Sequence, residues 1–282
     1  MRCLTSVRSF TAELGKDEEG KEKGATSYNS PQPRERTAGG KEPHEQFSTS
    51  PSTPARKPSP SLAARRLMHQ SLPEIVVVGT SLGGLRALQV LLADLPKNLP
   101  VPVVIAQHRH KDSDDTLSVF LQRVCPLPLT EAEDKEVILP GRVYLAPADY
   151  HLLVEAGCVE NRQGRLGVGA PTFALSTEAP VSHARPSIDA LFESVADAYG
   201  EKALGVILTG ASNDGSKGLL KIKANGGKAI VQDPTTAECS VMPKAAISAL
   251  QRCDNEAVAV DWIVTLGDIA PLIVNLCHLA LR

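Results

Sequence analysis

Two periods of hydrophobicity take turns along most of this chain. "EIVVVG" (74–79) is an unbroken apolar run, the pattern of a parallel strand buried on both faces. Residues 83–94 then place Leu85, Leu88, Leu91 and Leu92 at helical spacing, continued by Leu95. "VPVVIAQ" (101–107) predicts a second strand, and "DSDDTLSVFLQRVC" (112–125), with Asp and Ser at its start, predicts a helix. Between 128 and 176 short apolar runs are split by Gly, Pro and Asn, which predicts hairpins. Helical spacing returns in "PSIDALFESVADAYG" (186–200). Ser187 is its expected N-cap, Ile188, Leu191, Phe192, Val195 and Tyr199 its buried stripe, and Gly200 its stop. "ALGVILTG" (strand), "SKGLLKIKANGG" (helix with a Gly stop), "KAIVQ" (strand) and "MPKAAISAL" (short helix) follow, and 262–281 reads as an amphipathic stretch interrupted by Pro271. Strands alternating with helices predict an α/β fold with a mainly parallel sheet.

The first 70 residues share none of this periodicity. They hold 7 of the 21 prolines and 12 Lys and Arg against 8 Asp and Glu, whereas the remainder is acidic. Such a segment buries too little apolar surface to offset the entropy of ordering it. We therefore expect residues 1–72 to form a disordered Pro/Ser/charged tail and 73–282 to form one folded domain. The formal net charge of −2 is thus a cancellation, and it gives no global attraction to nucleic acid. Apolar runs are too short for a spanning helix, and the N-terminus lacks the apolar core of a secretory signal, so the expected location is the cytoplasm, without membrane insertion. The six cysteines contain no C-x-x-C pair, and His108 and His110 have no nearby third ligand, so no metal site is expected.

In sheets of this kind chemistry sits at the carboxyl ends of the strands. After the first strand, Gly79-Thr80-Ser81-Leu82-Gly83 fits G-x-S-x-G on a strand-to-helix turn, which would expose Ser81 near a helix N-terminus. A Gly-rich turn with a capping Ser fits those five residues equally well. A dinucleotide loop fits worse, because Ser81 stands where the second Gly of G-x-G-x-x-G is needed. His108 follows the second strand. Asp214 lies in the Gly-flanked loop after "ALGVILTG", where an ordinary helix-capping role is the plainer reading. Together the three supply a nucleophile, a base and an orienting acid, recognised by geometry rather than chain order. Their order, Ser…His…Asp, is not that of the α/β-hydrolases.

"VVVGTSLGGLRAL", "QH", "YLAPADYHLLV", "HARPSIDALFES" and "GVILTGASNDGSKGLLKIKANGGKAIVQDPTTAECSVMPKAAI" resemble, in order and spacing, the catalytic domain of the CheB family of protein-glutamate methylesterases, over about 73–265. The resemblance implies a doubly wound, mainly parallel sheet with helices on both faces and an antiparallel hairpin near the active site. It implies hydrolysis of glutamate γ-methyl esters on the cytoplasmic helices of chemoreceptors, with deamidation of glutamine as a further activity and no metal or organic cofactor. It places Ser81 as nucleophile, His108 as general base and Asp214 as the acid behind it. Backbone amides near Leu82 and Ala211 are the oxyanion-hole candidates.

Five positions depart from the family pattern. Leu82 replaces a smaller residue, Arg109-His110 replaces Met-Pro, and Ala211-Ser212 replaces Met-Gly, where losing a Gly threatens the loop's torsion. A catalytically weak binding module in a chemosensory complex is the alternative these changes allow. Arg185 and Asp189, which match the family, are expected to be structural. The N-terminal tail stands where family members carry a phosphoacceptor receiver domain, so regulation in cis by phosphorylation is not expected.

Overall fold

A computed structural model of the chain describes residues 71–113, 116–160, 166–252 and 259–278. The expected tail, residues 1–70 in particular, lies outside them. Seven parallel strands form the main sheet: β1 (Ile75–Thr80), β2 (Val103–Gln107), β3 (Leu129–Glu131), β4 (Val143–Leu145), β7 (Ala203–Ile207), β8 (Lys228–Gln232) and β9 (Trp262–Val264), in the order β3-β4-β2-β1-β7-β8-β9. The strands β5 (His151–Glu160) and β6 (Leu166–Ser176) form a separate antiparallel pair. The helices are α1 (Gly84–Ala93), α2 (Thr116–Gln122), α3 (Ile188–Tyr199), α4 (Ser216–Ala224), α5 (Val241–Gln251) and α6 (Leu266–His278). No helix among the described residues is long and apolar enough to cross a membrane.

The central strands are buried on both faces, which is why they read as unbroken apolar runs. Successive side chains feed two separate cores. Ile75 and Val77 of β1 join Val104, Ile207, the α3 stripe Ile188, Leu191, Phe192 and Val195, and Leu219 and Ile222 of α4. Val76 and Val78 join Ile105, Val206, Leu88, Leu91 and Leu92 of α1, and Ile269 and Ile273 of α6. Helices therefore cover both faces of the sheet, the doubly wound arrangement. β5 and β6 add Leu152, Val154 and Phe173 to the first core, against α3.

Three sequence expectations are corrected. Leu85 is exposed, because the core-facing stripe of α1 is carried by Ala87, Leu88, Leu91 and Leu92. Only the later part of 128–176 is a hairpin: β3 and β4 pair in parallel and extend the main sheet past β2. These two strands have three residues each, too short to show a period that separates parallel from antiparallel pairing. The stretch beginning at 262 is not all helix. Trp262–Val264 pairs with β8, and α6 then runs through Pro271 without ending there.

Candidate active site

The chain order reverses at β1, which pairs with β2 on one side and β7 on the other. At such a switch point the loops diverge and leave a crevice. Ser81 leaves β1, His108 leaves β2, and Asp214 sits in the loop after β7. A cleft of about 570 Å³ opens there, and Ser81, Leu82, Arg86, Gln89, His108 and Glu238 contribute to its wall.

The turn carrying Ser81 is fixed from two sides. Its N–H donates to Thr209 O (3.0 Å), and its carbonyl accepts the N–H of Gly84 (2.9 Å) as α1 begins. Gly83 caps α1 in the left-handed region (φ 78°), a conformation costly for other residues. The loop after β7 presses against this turn: Gly210 donates to Cys239 O, accepts from the Met242 N–H, and would place a β-carbon 3.0 Å from that of Ser81. No acceptor among the described residues takes the backbone N–H of Leu82 or of Ala211.

His108 Nε2 bonds Asp214 Oδ2 at 2.7 Å, the imidazole being partly exposed and the carboxylate fully buried. With Nε2 carrying the proton, Nδ1 is left with its lone pair. The carboxylate does not cap the helix that follows it; Gly215 occupies the N-cap of α4. It caps α3 instead. Oδ2 also accepts the Ile188 N–H (2.7 Å), and Oδ1 accepts the Asp189 N–H (2.9 Å), the Ser187 hydroxyl (3.0 Å) and the Gly215 N–H (3.1 Å). Burial alone would raise the Asp214 pKa, but the hydrogen bonds from His108 and from the Asp189 and Ile188 amides outweigh it and hold the carboxyl below its ordinary value. A helix N-terminus thus stabilises the charge facing the histidine.

Sequence reading found Ser187 only as a cap. It does accept the Ala190 N–H (3.3 Å), yet it is fully buried and also donates to Asp214. The signal that could have found it is the unusual demand of a buried aspartate for donors. Asp189 is buried too and accepts the Gly218 N–H (2.8 Å), which ties α3 to α4. Arg185 spends its guanidinium on Asp149 and on the carbonyls of Thr177 and Glu178, inside its own neighbourhood of loops.

The departures behave differently from one another. Leu82 is 57 % exposed at the mouth of the cleft. Arg109 turns away from it, its side chain buried and bonded to Glu131 (2.6 Å) and Ala146 O (3.0 Å). Ser212 is not among the residues with positive φ, so the loop does not need the missing glycine, and its hydroxyl accepts the Asp214 N–H at 3.2 Å. No cluster of three or more metal-ligating side chains occurs among the described residues.

The structure is a doubly wound α/β domain with a polar cluster at its switch point. The sequence profile of the CheB methylesterase family matches residues 76–273, and the chain belongs to that family. A Leptospira interrogans protein, named provisionally as a protein-glutamate methylesterase/protein-glutamine glutaminase, is 43% identical over 203 residues, which cover 72% of this chain and 94% of that protein. The Thermotoga maritima protein-glutamate methylesterase/protein-glutamine glutaminase is 38% identical over 174 residues, 62% of this chain and 48% of the relative. The crystal structure of the Thermotoga maritima CheB methylesterase catalytic domain superposes with a TM-score of 0.62 at 34% identity, covering 73% of this chain and all of that one.

Proposed function

We propose that this protein hydrolyses γ-methyl esters of glutamate side chains on the cytoplasmic helices of chemoreceptor-like proteins, and acts in the cytoplasm. The same chemistry on a glutamine side chain is deamidation. The observation that carries the reading is the 2.7 Å bond from His108 to a fully buried Asp214, in a cleft that Ser81 also lines.

In this reading Ser81 Oγ attacks the ester carbonyl and His108 Nδ1 takes its proton. Asp214 holds the ring in the tautomer that leaves Nδ1 free and stabilises the imidazolium that forms. The Leu82 and Ala211 amides receive the developing oxyanion; one such donor contributes about 3 kcal/mol to transition-state binding. His108 returns the proton to the departing methanol. Water, deprotonated by His108, then attacks the acyl-enzyme and releases glutamate and free Ser81. No metal or cofactor takes part in these steps.

The test is release of labelled methanol from a methyl-esterified receptor fragment, with a serine-directed fluorophosphonate as a second probe. Turnover and stoichiometric labelling of Ser81 are expected, both lost in Ser81→Ala. Turnover that survives Ser81→Ala would overturn the assignment.

A further inference from the structure

We propose that Gln107 is a positioning residue that fixes Ser81 and His108 relative to each other; this rests on their proposed roles. Thr80 and Gln107 form the last registered pair of β1 and β2. The final ladder bond is His108 N–H to Thr80 O at 3.1 Å, and beyond it the two strands part. The Gln107 side chain spans that fork. Its Nε2 donates to Ser81 O and to His108 O, each at 2.9 Å. Two carbonyl partners fix which end of the amide is nitrogen, since a carbonyl cannot donate. One primary amide thus ties the residue carrying the nucleophile to the residue carrying the base.

The tie comes with a cost. Gln107 is 9 % exposed, and its Oε1 is buried without a hydrogen-bond partner. An unsatisfied buried acceptor costs about 1–3 kcal/mol, and an apolar side chain of the same shape avoids that loss. Neighbouring residues are arranged around the amide even so. A β-carbon on Gly84 would lie 2.0 Å from Oε1 and 2.6 Å from Thr80 Oγ1, so the bare glycine at the start of α1 leaves the space the amide fills. Among the described residues no other donor reaches His108 O, whereas Ser81 O also accepts from Gly84. Loss of the amide therefore frees the His108 backbone first, at the point where its ring must face Ser81 and hold Asp214 together. A displacement of about 1 Å at such a point costs on the order of a hundredfold in rate.

The experiment compares the full-length chain with Gln107→Met, which keeps the length without the donors, and Gln107→Glu, which keeps the shape and reverses the polarity of the nitrogen position. Folded fraction is read by circular dichroism and melting, turnover by methanol release from a methyl-esterified receptor fragment, and nucleophile reactivity by the rate of fluorophosphonate labelling. The imidazole N–H of His108 is followed in ¹⁵N-histidine spectra, assigned through Asp214→Asn, and is independent of turnover. Both variants are expected to stay folded, with kcat down about 10- to 100-fold, KM within about twofold, labelling slowed in parallel and the His108 N–H resonance shifted or broadened. Unchanged kcat with an unchanged resonance would overturn the inference. So would a rise in KM alone, which would make Gln107 a substrate contact, or unfolding of both variants, which would make it a structural tie only. A parent protein that neither releases methanol nor labels at Ser81 refutes the functional reading instead, and the His108 resonance then still decides the role of Gln107.

Discussion

Replacing Asp189 by Asn should stabilise the protein at pH 8 and lose that advantage near pH 4. Asp189 is 3 % exposed and lies beside the carboxylate of Asp214, to which its own N–H donates. Burial is the main cause that pushes its pKa up from the ordinary 3.8 to about 6; the Gly218 N–H opposes the rise, and the charge of Asp214, its side-chain contact and the charge of Glu193 add to it. The folded state therefore holds a proton on Asp189 between about pH 4 and 6 that the unfolded chain has released. Stability from this group falls as pH rises through that window, and the full penalty is present above pH 6. The gap from 3.8 to about 6, at about 1.4 kcal/mol per pH unit, sets an upper limit of about 3 kcal/mol. Asn removes the titration, keeps an oxygen for the Gly218 N–H, and offers Asp214 an N–H in place of a negative charge.

Asp214 titrates in the opposite sense. Its folded pKa is lowered, so its contribution is complete above its ordinary pKa of 3.8 and is lost as pH falls through the folded value. Both proteins lose that contribution at low pH; because the variant also takes a charge away from Asp214, their difference reports the Asp189–Asp214 pair. The assay is thermal unfolding of both proteins at pH 4 and pH 8. A gain of about 3 kcal/mol would raise the melting temperature by roughly 6–12 °C at pH 8 for a domain of this size. A loss of similar size at both pH values would refute the reasoning, because Asp189 would then be stabilised as a carboxylate in the native protein.

Ser187→Ala removes both the cap of α3 and a donor to Asp214. It should lower stability by about 1–2 kcal/mol and reduce kcat in the methanol assay with KM held, and Ser187→Thr should restore both. Gly79→Ala would set a β-carbon 2.3 Å from Ile188 Cγ2, pushing α3 off β1, and should cost about 1–3 kcal/mol in a urea titration. Leu82→Ala, at an exposed site, should change stability by less than about 0.5 kcal/mol while altering KM for the esterified fragment. Arg109→Met should do the reverse, destabilising by about 1–3 kcal/mol through loss of the Glu131 and Ala146 bonds and leaving KM within about twofold.

The parts legible in the sequence were those with a long enough period. The apolar runs of β1, β2, β7 and β8 and the stripe of α3 met their cores as the spacing implies. β3, β4 and β9, at three residues each, carried no usable period, and their place in the sheet is decided by neighbours far away in sequence. The same division holds at the site. Ser81, His108 and Asp214 could be picked out because each follows a legible strand. Their supports could not, since nothing local to "PSID" says that the helix it opens will receive a carboxylate from a loop 26 residues later.

That remote capping makes this helix start structural and, under the proposed mechanism, functional as well. An α-helix leaves its first N–H groups unsatisfied, and burying them requires an acceptor. Buried Asp214 requires donors in turn. Joining the two meets both needs with one contact, and it orients Oδ2 toward His108 as a result of packing α3 on the sheet. Ser187 and Asp189 therefore act through the position and charge of Asp214, without touching the imidazole. The bulk of Leu82 and the turned-away Arg109 then bear on different things, the first on what enters the cleft and the second on how firmly β2 is held to β3 and β4.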